Sequence, residues 1–146
     1  MTSIRAIQQD DFEEWSVLWS GYLRFYESEI ADDVTRATFD RLVKDRELHG
    51  ALAIDEEGHA IGLVHWLTHA ATWSTGEYCY LEDLFVAPDA RGSGSGRAMI
   101  AHVREWAEQA GCAKLYWLTQ EGNATARTLY DRVATNTGFT HYQISL

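Results

Sequence analysis

The sequence predicts an α+β protein, a single domain in which a central mixed, mostly antiparallel sheet is flanked by helices. Three observations lead there. The chain has 146 residues, enough for one sizeable core and too few for two full domains. Its apolar pattern reads as strand, two helices, three strands, helix, strand, helix, strand. Hairpin-type connections come first and one strand–helix–strand unit follows, so antiparallel and parallel pairings share one sheet.

Taken in order, Ser3 to Ile7 reads as a first strand. Asp10 or Asp11 is placed to cap the next helix, because a carboxylate accepts the unpaired N–H groups of a first turn. Phe12, Trp15, Leu18, Trp19, Tyr22 and Phe25 then recur at three- and four-residue steps, giving a helix with a broad aromatic face. The acidic stretch Glu27 to Asp33 reads as a connection, and a second helix is expected from Thr35 to about Glu47. Ala51 to Asp55 and Ala60 to Thr68 form a hairpin around Glu56-Glu57-Gly58. Tyr78 to Ala87 is a longer strand, stopped by Pro88, the only proline. After a glycine-rich turn, Met99, Ile100, Val103, Ala107 and Ala110 mark one face of a helix that Gly111 ends in a left-handed conformation. Lys114 to Thr119 is a strand, Asn123 to about Asn136 the last helix, and Phe139 to Ile144 a final strand.

Charge narrows the partners. With 22 acidic and 12 basic residues, the net charge is −10, which argues against a nucleic-acid partner. The balance suits a cationic substrate, though acidic surfaces also serve solubility alone. Cys79 and Cys112 do not make a disulfide framework and read as thiols of a reducing compartment. The opening residues lack an apolar signal core, and no run approaches the ~18 apolar residues of a membrane span, so a cytoplasmic location without membrane contact is expected. His65 and His69 stand four apart in what reads as a strand and its exit, which is not helical metal-ligand spacing, and no metal is expected. The tryptophans read mostly as core, with Trp19, Trp66 and Trp73 as the alternative wall of an amine pocket.

The most informative segment is Arg91-Gly92-Ser93-Gly94-Ser95-Gly96-Arg97, where a strand feeds a turn that opens a helix. Glycines let successive backbone N–H groups approach a ligand, and the helix N-terminus adds partial positive charge. A phosphate or pyrophosphate is the fitting guest, with an arginine on either side. The nucleotide P-loop ending Gly-Lys-Ser/Thr is absent, since Arg97 follows Gly96. The glycines are spaced by two throughout, unlike the dinucleotide fingerprint, although Glu121 does follow the next strand, so a nucleotide-binding redox protein stays as a third reading.

The pattern Arg91-x-x-Gly94-x-Gly96 resembles motif A of the GNAT superfamily of N-acetyltransferases. The resemblance is clearest from Tyr80 to Tyr142, and the order of elements matches that fold. It implies that residues 91–97, including Ser93, cradle the pyrophosphate of acetyl-CoA. It also implies a bulged, splayed strand whose backbone near Leu84, Phe85 and Val86 bonds the pantetheine arm. Ser95 stands where that family usually carries an aliphatic residue.

Asn123 to Tyr130 looks like the family's second signature. Asn123, Ala126, Arg127 and Tyr130 share one helix face. By resemblance, Asn123, Ala126 and Arg127 bind the cofactor and Tyr130 is the general acid, a role that suits a phenol with an ordinary pKa near ~10. The insertion Asp131 to Thr137 before Gly138-Phe139 departs from the family's shorter spacing.

An ammonium group has no lone pair, so a site that acylates amines must remove a proton. Glu82 and Asp83 lie on the strand before the turn, and in a regular strand only one of them faces the site. The run Leu81 to Val86 is similar to a segment of the spermidine/spermine and thialysine acetyltransferases, where the acidic pair helps bind a cationic acceptor. Tyr26-Glu27 is a looser match, and Leu115 to Thr119 resembles relatives linked to polyamines, histone tails or amino acids. The expected reading is therefore acetyl-CoA-dependent N-acetylation of a small cationic amine by direct transfer. Glu82 serves as base or anchor, and Asp83 and Glu27 bind the amine. A homodimer is implied by the resemblance. The competing reading is a module that senses acetyl-CoA or a polyamine without turnover.

Overall fold

The computed structural model describes residues 2–146, leaving Met1 outside. The chain divides into two units, residues 1–116 and residues 117–146. The first holds β1 (Ser3–Ala6), α1 (Phe12–Phe25), α2 (Asp32–Lys44), β2 (His49–Ile54), β3 (Ala60–His69), β4 (Tyr78–Val86), α3 (Ser95–Gln109) and β5 (Lys114–Tyr116). The second holds α4 (Ala124–Val133).

The sheet order is β1-β2-β3-β4-β5. All neighbouring pairs are antiparallel except β4 and β5, so the sheet is mixed and mostly antiparallel, as expected. The β3–β4 register separates two faces. Leu63 pairs with Phe85 and His65 with Asp83, and this face meets α1, where Trp15 contacts His65. Gly62 and Trp66 lie on the other face, against Met99, His102 and Trp106 of α3. With both faces covered, β3 is buried from Gly62 to Trp66 without alternation.

The aromatic face of α1 does what its spacing requires. Trp15, Leu18 and Trp19 join Phe39 and Leu42 of α2 with Leu52, Leu63 and Phe85 of the sheet in one buried cluster. Trp15 and Trp19 stack with centroids 5.7 Å apart. Phe25, the last of the series, is half exposed and lies outside this cluster. Gly21 permits an unusually close approach of α1 to β4, because a Cβ there would stand 2.9 Å from Phe85 Cζ.

Several boundaries differ from expectation. Helix α2 starts at Asp32 rather than Thr35, because Asp32 and Asp33 suit the positive end of a helix. β5 ends at Tyr116 rather than Thr119, and α4 ends at Val133 rather than near Asn136. The expected strand from Phe139 to Ile144 is absent: these residues form no regular element and pair with no strand among the described residues, and Phe139, Tyr142 and Ile144 are exposed. A strand needs a ladder partner, which side-chain pattern alone does not supply. No helix among the described residues is long and apolar enough to cross a membrane.

Asp11 does not cap α1 with its side chain. Its carboxylate instead accepts the Gln8 N–H at 2.7 Å and both Arg5 guanidinium nitrogens at 2.7 and 2.9 Å. The Arg5 guanidinium holds the Asp11 carboxyl below its ordinary range. A depressed folded-state value contributes stability above the unfolded value and loses it as pH falls through the folded one. Asp11→Asn should therefore lower unfolding free energy at neutral pH by about 1–2 kcal/mol, allowing for the solvent-exposed side of Arg5. Urea titrations should show the deficit begin to close as pH falls below about 4, the ordinary carboxylate value, and vanish only below the depressed folded-state value of Asp11.

Candidate active site

The glycine turn forms as the sequence suggests. Gly92 and Gly94 adopt φ of +83° and +84°, and Gly94 precedes the first residue of α3. A Cβ at either glycine would meet nothing within 4 Å, so both face open space. Among the described residues, no acceptor takes the amides of Gly92, Gly94, Gly96 or Arg97. Four unpaired donors at the start of a 15-residue helix fit an anionic diphosphate. Ser95 is 1% exposed, and its hydroxyl lies 2.6 Å from that of Ser93. A hydrogen bond thus braces the turn where the family usually packs an aliphatic side chain. Arg91 folds back, with Nε 3.4 Å from the Val86 carbonyl and its guanidinium 5.9 Å from the Phe25 ring centroid.

β4 carries the second part of the site. Its parallel pairing with β5 covers Tyr78↔Lys114, Cys79↔Leu115 and Tyr80↔Tyr116 and then stops. From Leu81 to Val86, including Leu84 and Phe85, β4 pairs on the β3 side alone among the described residues. The backbone edge implied by the resemblance is therefore present. The bulge lies earlier than Leu84: His65 pairs with Asp83 and Trp66 with Leu81, leaving Glu82 as the extra residue.

This bulge decides which face of the sheet Asp83 takes. In an unbroken strand Leu81 and Asp83 would share a face. Here Leu81 pairs with Trp66 on the α3 side, whereas Asp83 pairs with His65 on the α1 side. Asp83 Oδ2 lies 2.9 Å from His65 Nδ1, and the two side chains are 13% and 6% exposed. Glu82 is exposed at the strand surface. Partial desolvation, with the Asp83 charge adjoining, nevertheless raises its carboxyl above the ordinary range. Burial pushes the Tyr22 phenol far up, and the neighbouring Asp83 charge adds to the rise; Tyr26 shifts the same way for the same two reasons. These phenols keep their protons and form an aromatic wall from α1 beside the carboxylate. Glu27 is exposed one residue beyond Tyr26, at φ +51°.

Within the second unit, Asn123 caps α4, its Oδ1 accepting the Ala126 N–H at 3.4 Å. Arg127 donates to the Glu121 carbonyl at 2.7 Å, so that residue's backbone is drawn into the turn before the helix. Tyr130 meets Trp117 edge to face, with ring centroids 5.4 Å apart.

Other features lie outside this machinery. Cys79 is buried, and desolvation pushes its thiol up to about 12, far from a nucleophile's range. His69 Nε2 lies 2.8 Å from the Tyr116 hydroxyl rather than joining His65. Trp15, Trp19 and Trp66 are core, while Trp73 is 90% exposed. The contacts that join His65 to Asp83 and to Trp15 have no signature in the sequence. The contact with Asp83 depends on the β3–β4 register, which the bulge sets.

Known proteins give this geometry its family. The profile of the Acetyltransferase (GNAT) family matches residues 2–134. The chain belongs to the GNAT acetyltransferase family. It is similar to the D-amino-acid N-acetyltransferase HPA3 of Saccharomyces cerevisiae, 38% identical over 92% of this chain and 84% of that protein. The thialysine N-epsilon-acetyltransferase of Caenorhabditis elegans is 34% identical over 66% of this chain and 61% of that one. In fold, AAC(6')-Iy in complex with the bisubstrate analog CoA-S-monomethyl-acetylneamine superposes with a TM-score of 0.86, at 20% identity, covering 100% of this chain and 99% of that one. As a GNAT protein with N-acetyltransferase relatives, the chain is an N-acetyltransferase, and the sensing-module reading gives way to an enzyme.

Proposed function

We propose that this GNAT enzyme transfers acetyl from acetyl-CoA directly to a primary amine of a small cationic acceptor, in the class of polyamines, lysine analogues or amino acids. The observation that supports the acceptor class is the bulge at Glu82, which sets the two adjacent carboxylates of β4 in different surroundings, Asp83 against His65 and Glu82 exposed. The thialysine and D-amino-acid acetyltransferases among its relatives support the same class.

The unpaired amides of Gly92, Gly94, Gly96 and Arg97 fit the cofactor's diphosphate, with Arg91, Ser93 and Ser95 completing the turn. The one-sided edge at Leu84, Phe85 and Val86 suits its amide-bearing arm, and Asn123, Ala126 and Arg127 contribute from α4. Acetyl-CoA supplies the activated acyl group as a thioester. Glu82 takes the proton from the acceptor ammonium at its raised carboxylate, Asp83 anchors the cation, and Glu27 adds negative charge near the end of α1. As the amine's lone pair forms the new C–N bond and the thioester C–S bond breaks, Tyr130 would donate its phenol proton to the departing CoA sulfur. Residues 1–146 act as one transferase domain in the cytoplasm, and two copies form a homodimer.

A CoA-release screen tests this reading, with spermidine, thialysine and D-lysine set against aniline-type amines that are neutral at pH 7. The cationic acceptors should lead by at least about tenfold in kcat/KM, the scale of one charge-assisted hydrogen bond. Preference for the neutral set removes the acceptor assignment. With the best cation, kcat/KM should fall with acidity at a pH above the ordinary carboxylate range, because protonated Glu82 accepts nothing. Glu82→Gln should abolish that limb and lower the plateau by roughly 10²-fold or more.

A further inference from the structure

His65 belongs to none of the roles above, yet it sits at the centre of the acceptor side. Its ring is almost wholly buried between β3 and α1, with Trp15 on one nitrogen and Asp83 on the other. Trp15 Nε1 lies 3.0 Å from His65 Nε2. An indole N–H can only donate, so Nε2 must be the acceptor and the ring proton stands on Nδ1. That proton is donated to Asp83 Oδ2 at 2.9 Å. The whole chain of bonds is therefore directional, from Trp15 through His65 to Asp83.

The direction has an electrostatic consequence. A carboxylate paired with a guanidinium, as Asp11 is with Arg5, is neutralised by its partner. A carboxylate that receives a bond from an uncharged imidazole is held in place and keeps its full negative charge. The other groups around it leave that charge intact. Tyr22 of α1 and Tyr26 just past its end face Asp83 as protonated phenols, and Glu82 adjoins it on β4. Across β3 on the β2 side, His65 pairs with Gly50, which brings no charge. Gly50 also keeps that flank narrow, since a Cβ there would approach His65 Cδ2 to 3.3 Å.

We infer that His65, locked in one tautomer by Trp15, is a positioning residue that fixes the Asp83 carboxylate as the charged anchor for the acceptor ammonium. The inference rests on the cationic-amine reading above and adds to it the group that orients the anchor. Asp83 thereby acts through Coulomb attraction and hydrogen bonding to the ammonium, while Glu82 is left free to move the proton. Second-layer partners of this kind fix a ligand's orientation and are as consequential as the group they hold.

The test compares His65→Leu, His65→Asn, Asp83→Asn and Asp83→Asn/His65→Leu in the full chain. The acceptor is whichever of spermidine, thialysine and D-lysine the wild type uses best. Asp83→Asn should raise acceptor KM roughly 10- to 100-fold, as expected for loss of a bond to a charged group. His65→Leu should raise acceptor KM about tenfold, with kcat and the KM for acetyl-CoA near wild type. His65→Asn places an amide N–H close to the position of Nδ1–H and should recover acceptor KM to within about threefold. In the Asp83→Asn background, His65→Leu should add nothing, because there is no charged anchor left to position. Independently of turnover, ¹⁵N NMR of the wild-type imidazole should place its proton on Nδ1. A proton on Nε2, or multiplicative losses in the double variant, would overturn the positioning role. If Asp83→Asn raises acceptor KM but His65→Leu does not, this inference fails and the anchor reading stands. If Asp83→Asn itself leaves KM unchanged, or no cationic acceptor is used, the anchor reading fails and takes the inference with it.

Discussion

Tyr130→Phe should lower kcat by roughly 10²- to 10⁴-fold, the usual contribution of a positioned general acid, while CoA binds with wild-type affinity. The substitution is a narrow one. Tyr130 lies on α4 at the helical spacing that groups it with Asn123, Ala126 and Arg127. Its ring packs edge to face on Trp117, and phenylalanine can keep that contact. The Asn123 cap does not involve the phenol, so α4 should keep its start. What disappears is one hydroxyl, and with it the proton. Steady-state CoA release gives the rate, and calorimetric titration with CoA gives the affinity. An unchanged kcat would assign the proton to another donor, and a parallel loss of CoA affinity would make Tyr130 a binding residue.

Gly94→Val should weaken CoA binding by about 100-fold or more and leave the fold in place. Two effects add. At φ +84° a β-branched residue is a backbone outlier, and the left-handed region already costs a non-glycine residue about 1–2 kcal/mol. The turn would relieve that strain by rotating, which turns its amides away from the diphosphate they are placed to receive. The new side chain would also stand in the open space in front of them. Gly111→Val is the matched control: φ is +76°, space is equally open, and the position lies just beyond the far end of α3. Both variants should lose similar stability in urea, but Gly94→Val alone should lose CoA. Equal CoA affinity in the two variants would move the diphosphate away from this turn.

The glycine turn and the α1 aromatic face were readable because each is a local pattern. Glycine spacing and helical periodicity survive without knowledge of what lies across the sheet. The hairpin of β2 and β3 and the left-handed Gly111 were legible for the same reason. Asp11 was misread because two uses of one carboxylate compete, and the nearby Arg5 won over the amides of α1. The stretch from Phe139 to Ile144 has strand-like side chains, but a strand is a property of two segments. The acidic pair was visible as residues but not as geometry. One extra residue in β4 decides which face Asp83 takes and which side chain meets it. No reading of β4 alone could have joined Asp83 to His65 and Trp15, because all three lie on different elements.

The near-contact between Gly21 and Phe85 sets how far apart the tyrosines of α1 and the proposed anchor Asp83 can stand. Tyr22 and Tyr26 ride on the helix, and Asp83 rides on the strand beneath it. Any larger residue at position 21 would act as a shim, lifting the helix from β4 and widening the gap that the proposed amine would enter. The glycine turn lies beyond the end of β4 and touches α1 through Arg91 and Phe25. On the proposed reading, position 21 would tune acceptor size from the helix side, while the amides of Gly92 and Gly94 stay where β4 and α3 set them.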